Sequence, residues 1–523
     1  MDHLTFNIYR QKFHYAATII GLFFLLVGLC SANFMISIGS GILGVNWLIE
    51  GGWERKWQII KTDRHLWALL ILYFVFIIGQ IPASFSDKGI GMLNTKLPML
   101  YMPLVMATTR IKFHHIRNLV EFYAYMVAFT TLLAWYNLLF NHLDTRHLYP
   151  FCWHISYGIQ ICVCSIICFS LRWKNVYKSR KHNLILTITG FYLIVCMVAF
   201  GKYTALAAGS ITFITWLLYY VYRNCSKTLR WAVPVIILAL LSTAGGLLYS
   251  TAHRYFTPRF KYEKEHRLTT MHGNPYTFDT TSTVENGQYI GVYVCIPEME
   301  QAWNERSQQN FKKAYSTLVR YLNSKGDFKD YEAVMSLSDN EIQDIENGIA
   351  NVKYHSPLAR FYITLYELGD KQYVEGKSFI FRIYCWKLAC KLIANHPLFG
   401  YGCGTAKKVF MEEQLKNKYI SEPLPVPHQQ YLEDAMTFGI PIAMLILAVY
   451  IYLIRRGIKT KNSILSLSMF MLMLTLCVEG NNYQFASALF AVVTSVFSYY
   501  NITDKAEEST DNNSYESTDK TSE

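Results

Sequence analysis

The chain has 523 residues, 52% hydrophobic and 15% aromatic, with only 16% charged. Soluble proteins carry about 25% charged residues, so a soluble enzyme is already disfavoured. The net charge of +12 invites a nucleic-acid partner, but its distribution along the chain excludes that reading.

Apolar runs near 13–30, 33–50, 66–81, 97–109, 117–140, 151–171, 183–200, 203–222 and 232–250 are followed by three more near 429–454, 463–479 and 483–500. A hydrocarbon core of about 30 Å needs roughly 20 such residues, and most runs approach that length. The fourth, TKLPMLYMPLVMATTR, is short and holds Pro98 and Pro103, which predicts a broken or re-entrant segment. The fold class expected is an all-α polytopic membrane protein of about twelve transmembrane helices. The short segments 1–12, 51–65, 110–117, 172–182, 222–231 and 455–462 together hold 21 Lys and Arg. The alternate short loops carry only Lys88, Lys96, Arg146 and Lys202. That is the positive-inside asymmetry, and it places the N-terminus inside. Arg10 and Lys12 before the first run, with Asn33 leading into the second, read as a signal anchor rather than a cleaved leader.

Span parity puts residues 251–427 outside as one large loop domain between transmembrane helices 1–9 (residues 1–250) and 10–12 (residues 428–500). DTTSTVENGQYIGVYVC predicts two strands around Asn286-Gly287. IPEMEQAWNERSQQNFKKAYSTLVRYL has helical periodicity, and SLSDNEIQDIENG a capping box from Ser338 to Glu341. FRIYCWKLACKLIANHP predicts an amphipathic helix with Ile383, Trp386, Cys390 and Ile393 on one stripe. The loop is therefore mainly helical. The acid-rich end, 501–523, reads as a disordered cytoplasmic tail. Of twelve cysteines, Cys295, Cys385, Cys390 and Cys403 fall in the outer region, where a disulfide is permitted; no C-x-x-C occurs, and no zinc site is expected.

Three glycines, Gly400, Gly402 and Gly404, end the outer region. Their spacing and the preceding helix do not fit a dinucleotide fingerprint, and a helix-ending loop is the ordinary use of such a run. Next comes VPHQQYLEDAMTFGIP, where His428 and two glutamines stand at the start of an apolar span. Anchoring alone favours Trp, Tyr, Lys or Arg there, so the imidazole calls for a partner or a chemical role.

Together, HPLFGYGCG and HQQYLEDAMTFGIP resemble the signature of the bacterial O-antigen ligase and polymerase family. Its ligases show a His, then Asn, Ser or Gln, then nine residues and a Gly, matched here by His428, Gln429 and Gly439. The pattern usually closes with Gly, Thr or Tyr three positions later, where this chain has Ile442. The resemblance implies a metal-independent glycosyltransferase without cofactors, in the bacterial inner membrane, with the large loop periplasmic and both termini cytoplasmic. Its donor would be a glycan on undecaprenyl diphosphate, and its acceptor lipid A–core or another glycan. Membrane lipids are the other expected partners; nucleic acid is not one. No D-x-D metal motif occurs in the chain.

His428 is then the expected general base, since an imidazole of pKa near 6.5 accepts a hydroxyl proton at neutral pH. Gln429 is expected to orient the acceptor or the ring. Lys202, in MVAFGKYTALAAGS, stands where the family commonly has Ser-Arg, and Arg382 stands just ahead of a helical Trp, here Trp386. Lys202 is expected to bind the substrate's diphosphate, although lysine lacks the bidentate fork of arginine, and Arg382 to clamp phosphate or sugar. His154 and His396 read as interfacial and turn residues, and Glu479 as an end-of-helix charge. The alternatives are a repeat-unit polymerase, a protein oligosaccharyltransferase and, from another class, a transporter or flippase. Coupled transporters place ionisable groups near the midplane, and these spans carry almost none.

Overall fold

The structure, a computed structural model, describes residues 3–83, 87–141, 143, 147–257, 268–352, 378–416, 423–480 and 484–503. The chain divides into two compact units, one formed by 1–220 with 384–523 and the other by 221–383. Of the predicted disordered tail, 501–523, residues 504–523 lie outside the described residues, while Asn501, Ile502 and Thr503 are buried against the protein.

Helices stand at every predicted span. In the first unit these are α1 (His3–Cys30), α2 (Asn33–Ile49), α4 (Arg64–Ile78), α6 (Pro98–Thr108), α7 (Phe113–Leu139), α8 (His154–Trp173), α9 (Arg180–Ala199) and α10 (Tyr203–Asn224), which reaches the unit boundary. Two short helices lie between them, α3 (Trp53–Thr62) and α5 (Asp87–Lys96). The second unit opens with α11 (Lys227–Phe256). Among the described residues seven helices are long and apolar enough to cross a membrane, or eight if the bent pair α2–α3 counts as one. The protein is thus an all-α polytopic membrane protein, with few strands.

The structure departs from the sequence pattern at four places. Most of the segment 51–65 between the second and third runs is helical: α3 is set at 108° to α2 across Gly51-Gly52. Trp53 and Trp57 are exposed on it, as suits a helix lying at an interface. The fourth run is one unbroken helix of 11 residues, shorter than a full span: Pro98 takes the first turn, where its missing N–H is harmless, and Pro103 is carried inside the helix. The predicted helix after Pro297 is two, α12 (Ile296–Arg306) and α13 (Phe311–Lys325). The span predicted at 429–454 is also two helices, broken at Gly439.

In the second unit β1 (Thr277–Glu285) and β2 (Gln288–Val294) pair antiparallel, closing on Glu285 opposite Gln288. Asn286 and Gly287 both take positive φ, the type I′ geometry that matches strand twist. Helices α14 (Tyr331–Met335) and α15 (Asp339–Glu346) complete this part, and the Ser338–Glu341 capping box is formed. Trp303, Met299, Leu318, Leu322, Val334 and Ile345 make its core, each at most 1% exposed. Burying side chains of this kind contributes about 1.5–3 kcal/mol apiece.

The chain then runs through α16 (Ser378–Asn395), α17 (Thr405–Leu415), α18 (Gln430–Phe438), α19 (Ile440–Lys459), α20 (Ser463–Thr475) and α21 (Gln484–Tyr499). On α16 the buried residues are Cys385, Leu388, Ala389, Leu392 and Ile393, and Cys390 is exposed. Ile393 of the predicted stripe is thus buried, while the rest of the buried face falls on neighbouring positions. None of the four outer cysteines forms a disulfide in the structure.

Candidate functional site

The site grows from the way α18 is held at both ends. At its start the Gln430 amide donates to the Leu476 carbonyl at 2.9 Å, and the Tyr431 hydroxyl to the Met473 carbonyl at 2.8 Å. These bonds fasten the N-terminus of α18 to the end of α20 and the turn after it. Gln429 caps the helix, its Oε1 accepting from the Leu432 amide at 2.6 Å.

His428 precedes that cap with φ of +52°. A non-glycine residue in the left-handed region carries strain of about 1–3 kcal/mol and persists only where its surroundings enforce it. Here the enforcement comes from Pro427 before it and the docked helix after it. The turn that anchors α18 also carries Glu479, and its Oε2 stands 3.7 Å from His428 Nδ1. The histidine side chain is 26% exposed and the carboxylate 11%, so the pair is only partly wetted. Glu479, read from sequence as an end-of-helix charge, is therefore the histidine's carboxylate partner. Its distance along the chain hid the relation.

Glu479 also lines a small, partly open cavity between the first turns of α8 and the facing parts of α20 and α21. Ile155, Ile159, Leu472, Leu476, Leu489 and Phe490 make the wall mostly apolar. Lys202 packs on the adjacent face of the same turns of α8, where a Cβ at Gly158 would lie 3.0 Å from the Lys202 Cβ. Only 6% of Lys202 is exposed, so protein encloses it, unlike a lysine that snorkels. Arg382 lies on α16 in the other unit. Within the first unit, then, His428, Gln429 and Glu479 come together, with Lys202 beside the helix that walls the same cavity.

The glycine run has a structural use. The amides of Tyr401 and Gly402 donate to the carbonyls of Met436 and Thr437, both at 2.9 Å, and that of Cys403 to Gly79 at 2.7 Å. Amides committed in this way cannot cradle a phosphate. A Cβ at Gly400 would lie 2.5 Å from the Thr437 carbonyl, and one at Gly439 2.2 Å from the Leu398 oxygen, both at positive φ. The two sequence motifs are therefore two faces of one joint, which fixes the C-terminal end of α18 as α20 fixes its start.

A buried polar cluster lies under α18. Lys96, at the end of α5 and 2% exposed, donates from Nζ to Ser487 Oγ at 3.0 Å and sits 5.4 Å over the Phe76 ring. Burial pushes its ammonium down to about 8, against the pull of Glu433 and Asp434. Those carboxylates are 3% and 4% exposed, and Asp434 Oδ1 accepts from Gln430 Nε2 at 2.7 Å. Burial likewise raises the Cys403 thiol to about 12. Sequence reading used Lys96 only as a topology marker and gave no role to Glu433 or Asp434. The available signal was two adjacent acids inside an apolar helix, with Gln430 and Asp434 four apart on one face.

Residues 333–447 match the O-antigen ligase family, a stretch that holds Arg382, the glycine joint, His428, Gln429, Glu433 and Asp434. No curated protein matches the chain. Lys96, Lys202 and Glu479 lie outside the matched stretch.

Proposed function

Because this polytopic membrane protein carries an O-antigen ligase domain, we propose that it transfers a glycan from undecaprenyl diphosphate to a hydroxyl of lipid A–core. The proposed place is the periplasmic face of the bacterial inner membrane. His428 accepts the acceptor's proton on Nε2, while Glu479, on the Nδ1 side, favours the cationic ring that results. The acceptor oxygen bonds to the anomeric carbon as the bond from that carbon to the diphosphate breaks, and the electron pair leaves on phosphate oxygen. Lys202 offsets the charge that develops there, and Gln429 holds α18 so that the imidazole keeps its direction. Arg382 stands as a further diphosphate ligand on sequence grounds.

The observation that carries this reading is a strained His428 held 3.7 Å from Glu479, whose carboxylate lines an apolar cavity. A cavity of that character suits a lipid-borne substrate. The deciding experiment is the surface-glycan profile of a deletion strain. Loss of long glycan from lipid A–core, with lipid-linked polymer accumulating, is the expected result. Single-repeat glycans would instead indicate a polymerase, and unchanged lipopolysaccharide with altered glycoproteins a protein glycosyltransferase.

Diphosphate is already a good leaving group, and cationic side chains supply the neutralisation that a metal gives other transferases. Transfer by the purified protein is expected to proceed almost unchanged in EDTA, measured at a temperature where the chain stays folded. A large loss restored by magnesium or manganese would contradict this mechanism.

A further inference from the structure

The second unit brings together an imidazole and two carboxylates that nothing in the transfer reaction uses. His272 Nδ1 lies 3.6 Å from Glu298 Oε2 and 3.5 Å from Glu332 Oε1, and the three donor atoms all lie within 4.8 Å of one another. We propose that His272, Glu298 and Glu332 form a binding site for a divalent cation of the zinc class, independent of the transfer site.

The spacing is the first argument. Ligands about 2.0–2.2 Å from Zn²⁺ in a tetrahedron stand roughly 3.4 Å apart, close to both measured separations. Mixed nitrogen and oxygen donors suit zinc and its neighbours better than calcium or magnesium, which prefer oxygen alone.

The second argument is an orphaned atom. Glu332 Oε2 is buried and has no hydrogen-bond partner among the described residues, while its Oε1 faces the histidine. Although the side chain is 42% exposed, leaving one of its carboxylate oxygens desolvated and unpaired is unfavourable, and a nearby cation would offset that cost.

The third argument is the support behind the donors. Glu298 Oε1 accepts from Thr270 Oγ1 and, at 2.7 Å, from Asn274 Nδ2; the Tyr331 amide approaches Oε2 at 3.4 Å. Those bonds aim the carboxylate, as outer partners do in metal sites. His272 is presented by a tight turn, with the Thr270 amide donating to the Asn274 carbonyl at 2.8 Å and Gly273 at a φ of +85°. Glu332 is set by the Asp330 cap of α14, which accepts from the Ala333 amide at 2.9 Å. A cation would thus staple the 268–276 turn to α12 and α14. His272 is exposed, which leaves an open side for a water as the fourth ligand. Short C-x-x-C-type spacing could not reveal this set, because its members come from three separated segments.

The test uses the full-length protein in detergent, stripped with chelator, dialysed and then titrated with Zn²⁺ alone. Bound zinc and the thermal unfolding midpoint are measured for the wild type, His272→Ala and Glu332→Gln. The expected result is one more zinc per chain in the wild type than in either variant, with a zinc-dependent rise in midpoint that both variants lose. A ligand that binds only the folded state raises stability in this way. Glu332→Gln is nearly isosteric and partly exposed, so it reports even if His272→Ala disturbs the turn. Equal zinc content and equal midpoints in all three proteins, or no saturable zinc in the wild type, would overturn the site.

Discussion

Replacing His428 by alanine is expected to slow glycan transfer by about 10²–10⁴, the usual worth of a positioned general base. Expression, membrane insertion and donor binding should change little, because the ring is partly exposed, Gln429 caps α18, and the hydrogen bonds that dock the helix come from Gln430 and Tyr431. The left-handed backbone at this residue sharpens the test: His428→Asn keeps a side chain that tolerates φ of +52° but removes the base. If strain relief were the cause of the loss, asparagine would restore transfer; if proton acceptance is the cause, it will not. Glu479→Gln keeps the shape and removes the charge 3.7 Å away, so it should lower kcat with KM nearly unchanged. Lys202→Ala should mainly raise KM for the donor. Near-normal transfer by a well-expressed His428→Ala protein would reduce the histidine to a helix-start residue.

Lys96→Met is expected to be the most damaging substitution for folding, by about 3–5 kcal/mol, as when one member of a buried ionic group is removed. The lysine is almost wholly enclosed, and Glu433 and Asp434 are enclosed with it. Without the ammonium, two neighbouring carboxylates on α18 are left in a dry interior, and Ser487 Oγ loses its donor. The check is the thermal midpoint of the purified protein, with retained secondary structure as a second reading. Combining Lys96→Met with Glu433→Gln and Asp434→Asn should recover much of the loss, since no uncompensated charge then remains. If the triple variant is no more stable than Lys96→Met alone, the cluster is held by packing and not by charge. Because the cluster lies under α18, which follows the proposed base His428, the triple variant should fold yet transfer poorly.

Some of this could be read along the chain. Hydrophobic run length and the sidedness of Lys and Arg identify a polytopic membrane protein, since a bilayer imposes one length and one charge asymmetry on every span. The Asn286-Gly287 hairpin and the Ser338–Glu341 capping box were equally legible, because each is decided by a few adjacent residues. His428 stood out for a related reason: a polar, titratable side chain where an apolar span begins is locally anomalous.

The partners of that histidine were not legible. Glu479 reaches it only because the start of α18 docks on the end of α20, and Lys96 meets Glu433 and Asp434 only because α5 folds beneath the same helix. Gly439 looked like a residue within one span, and its positive φ and contact with Leu398 instead break that span in two. In each case the deciding interaction joins residues distant in sequence. Helical periodicity says which face of a helix is apolar, but the identity of the group that meets a polar side chain on it is settled by tertiary packing.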